Sequence, residues 1–293
     1  IKGESGEKKD QRDSFAGRKA WQRITVLVAG VFMNFILAAV LFAVGFMIGL
    51  PTDVTLGVPP GATLVSAPAV VVQQVLKDSP ADRAGIKFGD KILAINSAAM
   101  TTAKQVVETV NRAGGEELSI QIERGKERLT VAARPEKVES AGNPRLGVIL
   151  AEAAVIRFPW YRALWQGLVG AVLALIGIFT AFFILIKNLI LGQGLAFEVS
   201  GPVGIAAVVG QSAKLGINYL INVTAMISLS LAAINVLPIP ALDGGRLLFV
   251  IIEKIFRRPV SMKHEQLAHT IGFVLLMILI VIVTYRDIAG LVK

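Results

Sequence analysis

The stretch Asn235-Val-Leu-Pro-Ile-Pro-Ala-Leu-Asp-Gly-Gly-Arg246 decides how this chain is organised, because it places prolines, an amide and a carboxylate at the end of a long apolar run. From Ile217 to Leu242 no side chain is charged at neutral pH, and a helix needs about 20 residues to cross a bilayer. A carboxylate near membrane depth costs about 2.5–3.5 kcal/mol on insertion scales, so it usually faces a cavity, a partner or a metal. Asp243 is therefore the first candidate functional residue.

A purely structural explanation of the same stretch stays open. Asp243-Gly244-Gly245 can form the turn where a helix leaves the membrane, with Pro238 and Pro240 ending that helix. Proline removes backbone donors and frees carbonyl groups, which membrane proteins tolerate only where protein or water satisfies those groups. The prolines therefore favour a segment that lines a polar site.

Composition places the chain among integral membrane proteins. Its 293 residues are 54% hydrophobic, and the mean hydropathy is +0.65. The net charge of +9 comes from Lys and Arg beside apolar runs, which indicates contact with the anionic headgroups of a lipid bilayer and no nucleic-acid partner. There is no cysteine, so metal ligands must be His, Asp or Glu. The polar opening without Met suggests a fragment whose N-terminus lies upstream of Ile1.

The charge pattern predicts which apolar segments cross the membrane. Residues 1–20 are expected to form a polar cytoplasmic linker, and the basic residues at its end orient a transmembrane helix at 24–50 outward. Further transmembrane helices are predicted at 217–242 and 269–286. The run 160–191 is long enough to span, but spanning would place a later basic loop outside, against the positive-inside rule. We therefore predict that this run lies at the interface or packs on the bundle.

Residues 63–136 predict a small α+β domain between the apolar segments, from alternating strand patterns and capped helix candidates. The run Ser79-Pro-Ala-x-x-Ala-Gly-x-x-x-Gly-Asp-x-Ile-x-x-Ile-Asn96 resembles bacterial PDZ domains, which bind an extended peptide or protein segment along a strand edge. A groove that only filters substrates by size stays an alternative. No carboxylate-binding loop is evident before Val70, so the groove residues are unassigned. The expected fold class is a multi-pass α-helical membrane protein with an inserted α+β PDZ domain.

The segment His264-Glu-Gln-Leu-Ala-His269 looks like a zinc motif but has the wrong spacing. Zinc-protease helices place His at i and i+4, where both rings reach one ion and the Glu acts as general base. At i+5 the rings point about 140° apart around the helix. We expect neither histidine to bind a metal, and both to be solvated or interfacial beside the basic loop.

The order of these features resembles the site-2 proteases, and within them the bacterial regulator-of-sigma-E type with a single PDZ domain. These are intramembrane zinc metalloproteases that cut transmembrane helices. The resemblance rests on Asn-x-x-Pro-x-Pro-x-Leu-Asp-Gly-Gly, on the PDZ run, and on Gly30-x-x-x-Asn34, where Val31 replaces the family's usual Pro. It implies that Asp243 is a zinc ligand. It also implies substrate-contacting residues, namely Asn34, Asn235, Pro238 and Pro240.

In that family the other zinc ligands and the general base come from an H-E-x-x-H helix, a motif that this sequence does not contain. The resemblance therefore implies a fragment with no catalytic residue of its own, inactive alone, from a Zn²⁺ protease of the bacterial inner membrane. Its PDZ domain would be extracytoplasmic, and its substrates single-span proteins such as an anti-sigma factor or a signal-peptide remnant. The alternative is a non-catalytic membrane PDZ adaptor. A transporter with a broken helix is a weaker third hypothesis, because no internal repeat supports it.

Overall fold

The structure, a computed structural model, describes most of the chain: residues 19–76, 78–125, 127–137, 144–192, 201–256 and 261–292. The chain divides into a helical unit, residues 1–44, 164–213 and 220–293, and a sheet unit, residues 45–163 and 214–219. Most of the linker predicted at 1–20 lies outside the described residues.

The described residues contain six longer helices and two helices within the sheet unit. The six are α1 (Ala20–Ile48), α4 (Trp160–Ile190), α5 (Pro202–Leu215), α6 (Ile217–Val236), α7 (Asp243–Phe256) and α8 (Met262–Val292), and the two in the sheet unit are α2 (Pro80–Arg83) and α3 (Ala103–Arg112). Four stretches of the described chain are long and apolar enough to cross a membrane: Trp21–Ile48, Trp160–Ile190, Ile217–Val236 and Lys263–Gly290. The length of α4 thus permits a span, and its predicted interfacial position stays a prediction.

The sheet unit is built on antiparallel strands. They are β1 (Leu50–Asp53), β2 (Thr63–Leu64), β3 (Ala69–Val75), β4 (Lys91–Ile95), β5 (Ala98–Ala99), β6 (Leu118–Arg124), β7 (Glu127–Ala133), β8 (Glu136–Lys137), β9 (Pro144–Arg145) and β10 (Val148–Arg157). The main sheet has the order β1-β10-β3-β4-β6-β7, with β2 beside β10 and β5 beside β4, while β8 and β9 pair separately. Apolar helices with an inserted α+β domain confirm the predicted fold class.

The core of the sheet unit follows from the period of two along its strands. Leu118, Ile120 and Ile122 alternate with polar residues on β6, and all three are buried. Val106 and Val110 lie one turn apart on α3 and are buried in the same cluster. The helix is thereby fixed against one face of the sheet, and this packing creates the groove described below.

A buried ion pair fixes the turn before β4. The Asp90 side chain is fully buried, and both its oxygens accept hydrogen bonds from the Arg124 guanidinium at 2.7 Å. The Lys87 amide donates to the same carboxylate at 2.8 Å. The hydrogen bond to Asp90 raises the pKa of Arg124 above its ordinary value. A bidentate contact of this kind is stronger than an ordinary hydrogen bond, and it restricts the two side chains to one relative orientation.

Asp90→Ala is expected to lower the free energy of unfolding of the sheet unit by about 2–3 kcal/mol, because it removes charge-assisted hydrogen bonds and leaves Arg124 partly buried without its anion. Lys91→Ala is the matched control. Its ammonium pairs with Glu123 at 3.1 Å with side chains 40% and 26% exposed, so the expected loss is below about 1 kcal/mol. Denaturant unfolding of both variants measures the difference, and equal losses would contradict it.

Small residues let the helices of the helical unit approach closely. A Cβ added at Gly167 of α4 would lie 2.7 Å from the Ala39 carbonyl oxygen and 2.6 Å from the Ala43 amide nitrogen of α1. Such separations are too short for a real side chain, so Gly is required for this backbone contact. In the same unit, the Asp287 carboxylate of α8 accepts hydrogen bonds from the amides of Gly201 and Gly204, at 3.2 and 2.7 Å, and thus caps α5.

Candidate functional site

The segment between α6 and α7 is an irregular loop, as the prolines of the sequence indicate. Helix α6 ends at Val236, whereas we expected helix up to Leu242, and α7 begins at Asp243. Pro238 cannot donate to a helical carbonyl and disfavours helical geometry in the residue before it. Residues 237–242, here called the proline loop, therefore leave the helical path and fold back toward the start of α7.

Three glycines make room for the backbone of the proline loop. A Cβ added at Gly244 would lie 2.2 Å from the Leu237 carbonyl oxygen, and one at Gly245 would lie 2.3 Å from the carbonyl oxygen of Ile239. On α8, a Cβ at Gly272 would lie 2.4 Å from the Pro240 carbonyl oxygen. The loop thus lies directly on the backbones of α7 and α8. This contact is a physical reason for the two glycines that follow Asp243.

A hydrogen bond that the loop donates to α8 holds the last part of the loop. The Ala241 amide donates to His269 Nδ1 at 2.9 Å, and Ala241 has φ of +83°, a left-handed conformation that alanine rarely adopts. His264, by contrast, is exposed. His269 lies against the loop, which its sequence pattern did not reveal, since the bonded residues are 28 positions apart in the chain.

Asp243 is the first residue of α7 and is half-buried. Among the described residues its carboxylate has no hydrogen-bond or ion-pair partner. The positive end of the helix dipole favours an anion at this position. A free carboxylate oxygen suits zinc, but catalytic zinc takes three protein ligands, and the described residues contain no cluster of that size. Asp243 therefore fits as one ligand of an incomplete set.

Asn34 lies at the same level as Asp243 along the bundle. Arg23 Nη1 contacts Glu253 Oε2 at 2.8 Å, and Leu27 packs on Val250, so α1 and α7 run antiparallel. Asn34 follows Leu27 by about two helical turns, and Asp243 precedes Val250 by about two turns. The antiparallel packing therefore brings Asn34 and Asp243 to one height.

Helix α6 contacts α1 at the same residue. The Ser228 hydroxyl donates to the Asn34 main-chain carbonyl at 2.9 Å. Asn235 lies about two turns further along the same face of α6, just before the proline loop. Neither the Asn34 nor the Asn235 carboxamide has a side-chain partner within the part of the chain that the structure describes. Pro238 is exposed and Pro240 half-buried. Asn235, Pro238 and Pro240 thus lie in the proline loop or just before it, whereas Asn34 lies on α1, which contacts α6 and α7.

The sheet unit carries a separate groove of about 610 Å³ between α3 and β10. Its apolar lining includes Leu76, Val107, Val110, Leu146, Ile149 and Leu150. Strand β10 pairs with β3 along one edge, whereas β1 covers its other edge only from Ala153 to Ile156. No strand of the described chain covers the edge of residues 148–151. This is the arrangement that accepts an added peptide strand.

The turn at the start of this groove is Leu146-Gly147, which connects β9 to β10. Gly147 has φ of +78°, and a Cβ there would lie 2.3 Å from Ser79 Cβ, so Gly is required. Sequence reasoning missed this turn because it sought a groove loop before Val70. The turn, β1 and β10 all lie outside the range 63–136 predicted for the domain. A glycine between two apolar residues was the available signal, since such a glycine often marks a turn.

Comparison with known proteins shows a matching family and similar relatives. The model of peptidase family M50 matches residues 4–279. Zinc metalloprotease RasP of Geobacillus kaustophilus (strain HTA426) is 37% identical over 287 residues, covering 94% of this chain and 60% of the relative. Regulator of sigma-W protease RasP of Bacillus subtilis (strain 168) is 34% identical over 281 residues, covering 94% and 61%. The chain therefore spans about 60% of the length of these curated relatives.

Solved PDZ domains are also similar to part of the chain. That of the SdrC-like protein from Listeria monocytogenes is 21% identical and covers 30% of this chain and 93% of that domain, with a TM-score of 0.27. At such a score the likeness adds nothing to the topology described above. The family match extends over nearly all of the sequence and confirms the resemblance to site-2 proteases. This multi-pass membrane protein with a PDZ domain belongs to peptidase family M50.

Proposed function

We propose that the full-length protein is an intramembrane zinc metalloprotease that cleaves transmembrane segments of single-span proteins in the bacterial inner membrane. The observation that carries the proposal is the Asp243 carboxylate, which is half-buried and has no partner among the described residues. It follows a loop whose backbone contacts two neighbouring helices. A carboxylate at the end of an apolar segment is costly unless a partner or a metal receives its charge, and this supports the proposal.

Asp243 would supply one oxygen ligand to zinc, and the remaining ligands and the general base would come from the H-E-x-x-H helix that the family carries. Zinc bound there would polarise the scissile carbonyl and lower the pKa of a bound water. The role of this chain is to orient its carboxylate. The start of α7 fixes the backbone of Asp243, and the proline loop determines where that helix begins.

The proline loop and its flanking helices would hold the substrate. A transmembrane helix must unwind before it is cut, and its freed backbone groups need hydrogen-bond partners inside the membrane. The Asn34 and Asn235 carboxamides can each donate and accept. Pro238 and Pro240 cannot pair through an N–H, so they keep the loop from closing into a helix. This arrangement supports a role for all four residues in substrate binding.

The groove of the PDZ domain would select what reaches the membrane site. A peptide placed along residues 148–151 of β10 would gain main-chain hydrogen bonds, and Val107 and Ile149, both about half exposed, would contact its apolar side chains. Anti-sigma factors and signal-peptide remnants, already shortened outside the membrane, fit such a filter. We place this domain on the extracytoplasmic side because the basic residues precede α1.

The zinc content of the purified full-length protein tests the proposal against a non-catalytic PDZ adaptor. A protease is expected to retain about one zinc per chain, as catalytic sites with three protein ligands do. Elemental analysis by plasma mass spectrometry measures it, with chelator-treated protein as the control. Zinc-free protein, after purification without chelator and with zinc supplied, would reject the protease in favour of the adaptor.

A further inference from the structure

Helix α8 contacts the proline loop through two residues on one face. His269 accepts the Ala241 amide through Nδ1 at 2.9 Å, and Gly272 lies against the Pro240 carbonyl. Positions i and i+3 of a helix are neighbours on its surface. Two successive loop residues are therefore held by adjacent positions of α8, one by a hydrogen bond and one by close backbone contact.

The hydrogen bond acts on the strained residue of the loop. Ala241 has φ of +83°, and a residue with a Cβ stays in this region only where its surroundings impose the conformation. Ala241 comes two residues before Asp243, so a change in its dihedral angles would redirect the first turn of α7. Loss of the hydrogen bond between His269 and the Ala241 amide would therefore be expected to change the direction of the Asp243 side chain.

The same bond determines what the His269 ring can do. A nitrogen that accepts an N–H bears no proton, so Nε2 carries the proton of the neutral ring. Nε2 is buried and has no partner in the described residues. Neither nitrogen then offers a lone pair to a metal, which agrees with the unsuitable spacing from His264. The ring packs beside Phe249 of α7, with centroids 5.8 Å apart.

We propose that His269 is a positioning residue for Asp243: it holds the Ala241 amide and thereby fixes the direction in which the carboxylate meets the metal. The proposal rests on the proposed function, because it takes Asp243 to be a zinc ligand. It gives the last long helix a role at the site through backbone geometry, without contact with zinc or substrate.

Substitutions that differ in where they place an acceptor test this role in the full-length protein. His269→Asn puts Oδ1 close to the position of Nδ1, whereas His269→Gln puts its oxygen near the position of Nε2, and His269→Leu has no acceptor. Amide hydrogen exchange of the peptide containing residues 236–245 reports on the Ala241 bond. Retention of zinc against increasing chelator, with zinc alone as the probe, reports on Asp243.

We expect the Asn variant to keep exchange and zinc retention within about twofold of the wild type. In the Gln and Leu variants the Ala241 amide hydrogen should exchange about 5- to 10-fold faster, as the net free energy of one hydrogen bond predicts. Their zinc affinity should fall about 10- to 100-fold, as it does when an outer partner of a ligand is lost. If Asn but not Gln restores both properties, His269 acts through the position of its hydrogen-bond acceptor and not only by filling space.

Two results would overturn the positioning role without affecting the proposed function. One is the same exchange rate of the Ala241 amide in all four proteins, and the other is faster exchange in the Gln and Leu variants with undiminished zinc retention. If the wild type itself holds no zinc, the proposed function fails, and the positioning role fails with it. Thermal unfolding of each variant is measured alongside. Should the Leu variant fail to fold, the comparison of Asn with Gln decides.

Discussion

Asp243→Ala in the full-length protein should reduce cleavage of a single-span membrane substrate by at least about 100-fold, the upper end of the cost of losing only an outer partner of a metal ligand. The reason is geometric as well as chemical. The carboxylate begins α7 and has no partner among the described residues, so its removal takes away a ligand without breaking an observed contact. Expression and thermal unfolding should therefore change little.

Two further variants make this result specific. Asp243→Asn keeps the shape of the side chain but removes the charge, so it should also lose zinc and activity. Asp53→Ala removes an exposed carboxylate in β1 of the sheet unit, and it should leave both unchanged. Cleavage is followed by gel analysis of a tagged substrate, and zinc by elemental analysis. Undiminished cleavage by the Asp243→Ala variant would contradict the assignment of Asp243 as a zinc ligand.

The sequence indicated an irregular backbone before Asp243, but the helix predicted up to Leu242 ends at Val236. Pro238 and Pro240 disfavour a helix because they lack an N–H, and Asp243 stands out by its charge. The way in which the loop then folds back could not be predicted. It depends on Gly272 and His269, which belong to another helix, and contacts between distant parts of a chain leave no periodic signal.

The spacing of the two histidines was informative in one respect only. It argued against a paired metal site, which stays a prediction, and in the structure the Ala241 amide donates to His269 Nδ1. It also favoured a solvated or interfacial ring, which describes the exposed His264, whereas His269 is half-buried against the loop. Spacing along one helix predicts which residues share a face, but not what packs against that face.

The PDZ domain shows the same division between local and distant signals. The run Ser79–Asn96 contains a capped short helix and a turn, and both were predictable from its one proline, its glycines and Asp90. Strand β1 and the full length of β10 were not, because each joins the sheet only by pairing with strands that are distant in the chain. The groove turn at Gly147 consequently lay outside the predicted domain. Flanking segments of a β domain are where sequence bounds are weakest.

Gly272→Ala is expected to lower activity and zinc retention by about 10-fold or more, through the proline loop. The added Cβ would lie 2.4 Å from the Pro240 carbonyl oxygen and 2.7 Å from its carbonyl carbon, so either α8 or the loop backbone must move. Overpacking of a tight contact costs about 1–3 kcal/mol, and a difference of 1.4 kcal/mol is a factor of ten. Displacement of Pro240 would carry Ala241 and Asp243 with it.

Gly290→Ala is the matched control on the same helix, because an added Cβ there would meet nothing within 4 Å. Both changes replace Gly by Ala within α8 and so favour the helix, by up to about 1 kcal/mol for Gly272 in the interior and by less for Gly290 in the last turn. Only Gly272→Ala should impair zinc retention, and only it should accelerate amide exchange at residues 236–245. Equal effects in the two variants would mean that the loop does not rest on α8, and the explanation of the Gly272 contact would have to be abandoned.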